Sequence, residues 1–156
     1  MARSALPVLL GLLLLFQAAS FSMAFPNGVF RIHNQGLLGF SLDFQQQTPP
    51  SATLAVVTPV GDPAQPGSQK WAVYADAGAY TIKNALTGLY LGTSDYTTVL
   101  LTPQKQLWDI IQVGGNYKIQ LHNVGTCLEL QSGRKWTPVT LGNYQGLNQQ
   151  WTLARV

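Results

Sequence analysis

Few side chains in this sequence could do acid–base or nucleophilic chemistry, and they are widely spaced. They are His33, His122, Cys127 and six carboxylates. A catalytic or metal site needs such residues in a defined pattern, and the sequence has no paired carboxylates, metal-ligand spacing or glycine-rich phosphate loop. His33 and His122 lie at matching places near the ends of two similar segments, which favours a shared structural role. The sequence therefore predicts a protein that is not an enzyme and that uses no cofactor or metal ion.

Charge is sparse along the chain and narrows the choice of partner. The nine Lys and Arg residues and the six Asp and Glu residues are scattered singly. A protein that neutralises a phosphate backbone needs a basic stripe, and none is present. Gly, Gln, Asn, Thr and Tyr are plentiful and suit tight turns and neutral hydrogen bonds to a polar ligand. We expect no nucleic-acid partner.

The first 24 residues have the layout of a secretory signal peptide. Arg3 precedes an apolar run over residues 5–16, and small residues follow it. Polar residues end the run before it reaches the roughly 20 apolar residues that a membrane-spanning helix needs. We predict cleavage after Ser20 or Ala24. The expected product is a secreted, extracellular domain over residues 25–156 without a membrane span.

Cysteine content indicates how that domain is held together. Cys127 is the only cysteine, so the chain cannot form a disulfide within itself. The core must therefore be stabilised by packing. We expect Cys127 to be a buried strand residue that acts as a small hydrophobe.

The elements that position any site come from a unit that occurs three times. Each unit opens with Gly-x-aromatic-x-Ile, at residues 28–32, 78–82 and 115–119. Each continues with Gly-x-x-Leu, at residues 39–42, 88–91 and 125–128. Each closes with Gln-x-Trp, at residues 69–71, 106–108 and 149–151. Alternating apolar residues and turn glycines predict short strands, the first two of each unit paired as a hairpin.

Three units of four strands limit the architecture to few solutions. Three blades are too few to close a propeller. Three units can instead pair their inner strands into a closed barrel, while their outer hairpins cap one end and leave no free sheet edge. The sequence thus predicts an all-β protein with a β-trefoil fold and a core that contains the three repeated tryptophans.

The triple Gln-x-Trp motif resembles the ricin B-type lectin family. The last unit adds Gly-Thr-Cys-Leu-Glu at residues 125–129 and Asn-Gln-Gln-Trp at residues 148–151, and the resemblance covers roughly residues 27–156. It implies a β-trefoil with one shallow sugar site per repeat. In such a site a carboxylate after the second-strand Leu accepts hydrogen bonds from sugar hydroxyls, and an aromatic ring covers the apolar sugar face. An Asn just before Gln-x-Trp completes the site.

On this resemblance, the third repeat keeps the most complete carbohydrate site. Glu129 holds the carboxylate position and Asn148 the amide position. Between them lie Trp136, Asn143 and Tyr144, and Trp136 or Tyr144 would stack on the sugar. The alternative for Trp136 is local packing. Gln149 belongs to the same site, although the motif glutamines of all three repeats are expected mainly to brace the fold.

The other two repeats depart further from the family pattern. The first keeps Asp43, a candidate sugar-binding carboxylate, but has Ser68 at the amide position. The second has Gly92 and Lys105 at these two positions. The resemblance therefore implies one site in the third repeat, a second candidate at Asp43 and none in the second repeat.

Two classes of function remain open. The first is a secreted lectin for galactose-like or related sugars, with glycans or glycoproteins as partners. The second is a β-trefoil protease inhibitor that presents an exposed loop, with Arg134 and Lys135 beside Trp136 as the candidate residues. The sequence leaves open whether the protein is a monomer or a homodimer.

Overall fold

The computed structural model describes residues 24–46 and 53–156 and is all-β apart from one short 3-10 helix. The predicted signal peptide lies outside the described residues except for Ala24. The first repeat contains β1 (Gly28–Asn34), β2 (Phe40–Gln46), β3 (Thr53–Pro59) and β4 (Trp71–Asp76). The second contains β5 (Ala79–Asn84), β6 (Tyr90–Thr93), β7 (Val99–Thr102) and β8 (Trp108–Val113).

The third repeat has the same four strands with two small additions. It contains β9 (Asn116–Leu121), β10 (Cys127–Glu129), β12 (Thr140–Gly142) and β13 (Trp151–Arg155). The additions are β11 (Thr137–Pro138) and the 3-10 helix (Leu147–Gln149). Each Gly-x-aromatic, Gly-x-x-Leu and Gln-x-Trp phrase falls at the strand that its alternation predicted.

The first and last strands of the three repeats close into a ring. The antiparallel pairs run β1–β4, β4–β5, β5–β8, β8–β9, β9–β13 and β13–β1. Because the last pair returns to β1, these six strands have no free edge. The predicted β-trefoil is confirmed.

Each repeated aromatic residue lies opposite the repeated tryptophan of its own unit. The register pairs are Phe30 with Trp71, Tyr80 with Trp108, and Tyr117 with Trp151. All three tryptophans are fully buried, together with Ile32, Ile82 and Ile119 of the opening phrases. The motifs that repeat in the sequence are therefore the residues that fill the core.

The three indole groups also tie this ring to the outer hairpins. Trp71 donates its Nε1 hydrogen to the carbonyl of Leu42 at 3.0 Å, and Trp108 donates to that of Leu91 at 3.0 Å. Trp151 donates to the carbonyl of Leu128 at 3.1 Å. Each accepting Leu is the last residue of a Gly-x-x-Leu phrase. The residue after each Leu is thus fixed relative to the core in the same way in all three repeats.

The strands of the outer hairpins pair within each repeat and also between repeats. Strand β2 pairs with β3, β6 with β7, and β10 with β12. Strand β3 joins neighbouring repeats, because it also pairs with β7 and with β11. An isolated bridge between Thr98 and Thr140 links the second and third repeats.

Phe25, just before the first strand, packs where the three repeats meet. Its ring centroid lies 5.0 Å from that of Phe30, 6.1 Å from that of Tyr80 and 5.1 Å from that of Tyr117. These three rings occupy equivalent positions in the three opening phrases. Phe25 is 8% exposed. It completes an aromatic cluster whose other three rings come from the three repeats, while Phe25 itself lies outside the repeated phrases.

Two expectations about single residues have different outcomes. Cys127 is buried and free, as predicted. The prediction that the two histidines occupy matching places is wrong. His33 pairs with Ser41 in the hairpin register, so its equivalents are Lys83 and Gln120 in the other repeats. His122 follows the end of β9, and its Nδ1 lies 2.8 Å from Asp109 Oδ1.

We predict that Phe25→Ala lowers the free energy of unfolding by about 3–5 kcal/mol, because it removes a buried ring and leaves a cavity. Urea denaturation followed by tryptophan fluorescence measures this change. Leu38→Ala is the matched control, since Leu38 is 76% exposed and its loss should change stability by less than about 0.5 kcal/mol. Equal midpoints for the two variants would contradict the role assigned to Phe25.

Candidate functional site

Glu129 ends β10 and is held in place by its strand and by a close glycine. Cys127, Leu128 and Glu129 pair with Gly142, Leu141 and Thr140 of β12. The Glu129 carboxylate crosses the backbone at Gly142 so closely that a Cβ at position 142 would overlap Oε2. The absence of a side chain at Gly142 therefore makes room for the Glu129 carboxylate.

Asn148 has a backbone that is fixed by hydrogen bonds and a side chain whose Oδ1 packs against Gly36. Its carbonyl accepts a hydrogen bond from Asn34 Nδ2 at 2.9 Å and another from the Leu130 amide at 3.1 Å. The residue is exposed, and its side-chain amide makes no hydrogen bond with the described residues. Because Asn34 belongs to β1, the first repeat helps to orient this side chain of the third. The side-chain amide is thereby oriented, and its hydrogen-bonding groups have no partner among the described residues.

Gln149 braces the loop between Glu129 and Asn148. It is 2% exposed, and its Nε2 donates to the Asn143 carbonyl at 2.7 Å and to Glu129 Oε2 at 3.4 Å. Its Oε1 accepts a hydrogen bond from the Gln145 amide. Gly146 precedes the 3-10 helix with φ 149° and ψ −147°, a conformation that is nearly restricted to glycine. Loop and helix are therefore fixed around the buried glutamine.

The bracing role predicted for the motif glutamines is confirmed in the other repeats. Gln69 Nε2 donates to Thr58 Oγ1 at 2.7 Å and to the Pro59 carbonyl at 3.0 Å. Gln106 bonds both backbone groups of Thr93, at 2.7 Å and 2.9 Å. In each repeat the side-chain amide of the Gln-x-Trp glutamine is therefore hydrogen-bonded to the outer hairpin.

These residues form a shallow polar cleft of about 280 Å³. It is lined by Glu129, Gln145, Gly146, Leu147, Asn148 and Gln149. The volume is just below the roughly 300 Å³ at which the range for small-molecule sites begins, so the cleft suits one small polar ring. Leu147 is 60% exposed and supplies the apolar surface. Its contribution was missed from the sequence because the family pattern places an aromatic ring in this role.

The predicted aromatic residues lie outside the lining of this cleft. Tyr144 is exposed, its hydroxyl accepts a hydrogen bond from Gln150 Nε2 at 2.8 Å, and Lys118 Nζ lies 5.4 Å from its ring centroid. Asn143 contributes its carbonyl to Gln149 rather than a side-chain contact. The structure therefore brings Glu129, Asn148 and Gln149 together but leaves the stacking position without a ring.

Trp136 lies against the first repeat instead. Its backbone amide donates to the Val57 carbonyl of β3 at 2.9 Å, and it adopts φ 70° in the left-handed region. Lys135 Nζ lies 5.3 Å from the indole centroid and forms an ion pair with Asp62 at 2.6 Å. The indole is partly covered by this lysine, which supports the local-packing alternative.

Asp43, the second predicted sugar-binding carboxylate, is fully buried. Its Oδ1 accepts the Phe44 amide at 2.8 Å. Its Oδ2 accepts the Thr58 hydroxyl at 2.6 Å and the Ala64 amide at 2.8 Å. The long loop of the first repeat thus closes over the position that is open in the third. In this conformation Asp43 anchors the loop and cannot reach a sugar.

The second repeat has no space at the equivalent position. A Cβ at Gly92 would meet the Thr102 methyl group at 2.6 Å and Gln106 Oε1 at 2.8 Å. Lys105, which stands in the place of Asn148, pairs with Asp76 at 2.5 Å. A carboxylate is therefore absent here for a steric reason.

In residues 24–46 and 53–156, no cluster of three or more His, Cys, Asp or Glu side chains is arranged to bind a metal ion. No helix in the same residues is both long and apolar enough to cross a membrane.

The family comparison matches this chain to the model described as ricin-type beta-trefoil lectin domain-like, over residues 67–142. This segment is just under half of the chain and includes the last strand of the first repeat, the second repeat and part of the third. The match confirms the resemblance that the repeated motifs indicated. No curated protein matches the sequence significantly.

Solved structures extend the similarity to the whole trefoil. The Rhizoctonia solani agglutinin is 20% identical with a TM-score of 0.75, over 86% of this chain and 99% of the agglutinin. The Macrolepiota procera ricin B-like lectin, in complex with lactose, is 22% identical with a TM-score of 0.71, over 85% and 99%. The Polyporus squamosus lectin, bound to a human-type influenza-binding epitope, is 20% identical with a TM-score of 0.66, over 83% and 49%. At these identities the similarity establishes the fold.

We predict that Asp43→Asn lowers the free energy of unfolding by about 1–3 kcal/mol, because an amide cannot accept all three hydrogen bonds and leaves a buried donor unpaired. Thr58 cannot compensate, since its oxygen already accepts from Gln69. Urea denaturation at neutral pH measures the change. The matched control is Glu129→Gln on the half-buried carboxylate of the third repeat, with an expected change below about 0.5 kcal/mol. An Asp43→Asn variant as stable as the parent would contradict the anchoring role.

Proposed function

We propose that this chain, which has the fold of the ricin B-type lectins, is a secreted, non-enzymatic lectin that binds a galactose-like sugar through its third repeat. One observation carries the proposal. The side chains of Glu129 and Asn148 line the same cleft while their neighbours are fixed by hydrogen bonds within the protein. The cleft thus offers polar groups that a ligand can use without first breaking the fold.

The chemistry of the cleft suits neighbouring hydroxyl groups. The Glu129 carboxylate is a hydrogen-bond acceptor. Among the described residues it accepts one hydrogen bond, a long one of 3.4 Å from Gln149 Nε2 to Oε2. Its remaining lone pairs can accept two adjacent sugar hydroxyls, while Asn148 offers both a donor and an acceptor. Hydrogen bonds to a charged acceptor are stronger than neutral ones. Glu129 is therefore the main anchor and Asn148 sets the orientation.

The apolar face of the sugar packs on Leu147 in this proposal. No aromatic ring is among the described residues that line the cleft, so the stacking contribution usual for such sites is replaced by an aliphatic one. Together with the small volume, this predicts weak affinity for a single sugar. Tight binding to a glycoprotein then requires several sites at once, which a homodimer would provide.

The comparisons support the choice of ligand class. The Macrolepiota procera lectin was solved with lactose and the Polyporus squamosus lectin with a sialylated galactoside. Both share the trefoil of this chain, and we extend their ligand class to it on the geometry of Glu129 and Asn148. A galactoside is accordingly the first ligand to test.

The protease-inhibitor alternative has less support from the geometry. Of its two candidate basic residues, Lys135 is engaged by Asp62 and lies over Trp136, so its side chain is not presented freely. Arg134 is exposed and forms no ion pair with the described residues. Submicromolar inhibition of a serine or cysteine protease that is lost in Arg134→Ala would overturn the ranking.

We predict that Glu129→Gln weakens lactose binding at least tenfold and that Asn148→Ala weakens it several-fold, because each removes hydrogen bonds to the sugar. Isothermal titration calorimetry, or a glycan array with unfolding midpoints measured in parallel, checks this. Lys105→Ala is the matched control because Lys105 holds the equivalent position in the second repeat. A folded parent protein that binds no glycan on the array would contradict the proposal.

Secretion has a separate test. When the full chain is expressed in a eukaryotic secretory host, we expect it in the medium with Phe21 or Phe25 as its first residue, because small residues precede both positions. N-terminal sequencing or intact mass measurement identifies the start. An intracellular product that retains residues 1–20 would contradict secretion and leave the sugar-binding proposal unaffected.

A further inference from the structure

A second cleft, at the first repeat, is lined by two positively charged side chains, one on β1 and one directly before β4. Arg31 lies one residue after Phe30 on β1, and Lys70 one residue before Trp71 on β4. Phe30 and Trp71 are the last register partners of the β1–β4 ladder, and the two basic residues follow this pair at the end of the ladder. They line a cleft of about 220 Å³ together with Gly61, Pro63, Gly67 and Gln69.

No carboxylate of the protein balances these charges. All six acidic residues lie in the described part of the chain, and the ion pairs found there join Lys105 to Asp76, His122 to Asp109, and Lys135 to Asp62. Asp43 and Asp95 accept backbone hydrogen bonds, and Glu129 belongs to the other cleft. Arg31 and Lys70 therefore form no ion pair with any described residue.

The loop that forms one wall directs its own acid away from the cleft. Asp62 lies between the lining residues Gly61 and Pro63, but its carboxylate is held by Lys135 of the third repeat at 2.6 Å. The amide hydrogens of Gly61 and Gly67 are not donated to any described residue. This wall thus has two amide hydrogens without an acceptor among the described residues, and its one carboxylate is paired with Lys135.

This arrangement is unfavourable for the protein alone. Two like charges that line one cleft repel each other. The positive potential also reaches His33, whose pKa is lowered chiefly by burial and further by the charge of Arg31. An anion between Arg31 and Lys70 would relieve the repulsion and accept charge-assisted hydrogen bonds from both.

We propose that this cleft binds the anionic group of an acidic glycan, either a sulfate ester or a carboxylate. The site is separate from the Glu129 cleft and takes a ligand of opposite polarity, since one cleft presents a carboxylate and the other two cations. Arg31 supplies a planar pair of donors and Lys70 a mobile point charge. A glycan bound here is distinguished from a neutral one by its charge.

The test is a titration of the ¹⁵N-labelled protein followed by amide chemical shifts at constant ionic strength. The probes are galactose 6-sulfate, N-acetylneuraminic acid and galactose. We expect one or both acidic sugars to shift the amides around Arg31 and Lys70 saturably, and galactose to leave them unchanged. Arg31→Gln and Lys70→Gln should each weaken this binding about tenfold. The two acidic probes separate a sulfate ligand from a carboxylate ligand.

The controls keep this proposal independent of the sugar site in the third repeat. Arg134→Gln removes one exposed positive charge elsewhere and should leave the titration unchanged. Glu129→Gln should also leave it unchanged. Arg31→Gln should fold with an unchanged or higher Tm, because it relieves repulsion. Acidic sugars that shift these amides no more than galactose does, or whose binding survives Arg31→Gln or is lost in Glu129→Gln, would overturn the proposal.

Discussion

The hydrogen bond from each buried indole to a leucine carbonyl is the interaction on which this structure depends. It occurs three times, from Trp71, Trp108 and Trp151, at 3.0–3.1 Å. A buried indole N–H without a partner is costly, so each Trp both fills the core and fixes an outer hairpin to the ring. The residue after the accepting Leu inherits that position. The loop that covers this residue then determines whether its side chain can contact a ligand.

The three repeats give that same position three different surroundings. Asp43 is enclosed by a long loop that uses its carboxylate as an anchor, and Gly92 lies under Gln106 and Thr102. Glu129, by contrast, lines a cleft. The core constrains all three positions equally, while the loops over them are free to vary. A symmetric fold is therefore compatible with a single sugar site.

The sequence predicted the core residues that occur in every repeat, and it missed the features that depend on the conformation of individual loops. Alternation and the Gln-x-Trp phrases predicted the strands, because periodic burial leaves a periodic pattern. Phe25 has no counterpart in the other repeats, so no sequence pattern predicted the aromatic cluster that it completes. The histidines were misaligned because His33 lies within β1, three residues after Phe30, whereas His122 lies beyond the end of β9, five residues after Tyr117. The cleft's apolar surface at Leu147 and the covering of Trp136 by Lys135 depend on loop conformation, which spacing alone does not determine.

The scarcity of acids links the two clefts. Of the six side-chain carboxylates in the chain, two anchor loops by hydrogen bonds and three pair with Lys105, Lys135 or His122. The sixth, Glu129, lines the cleft of the third repeat. The same shortage leaves Arg31 and Lys70 without an acid. Strand β1 connects the two consequences, since Arg31 points outward while Asn34, three residues on and buried, holds the backbone of Asn148. Residues an odd number apart on a strand face opposite sides, so one strand can support both clefts without bringing their charges together.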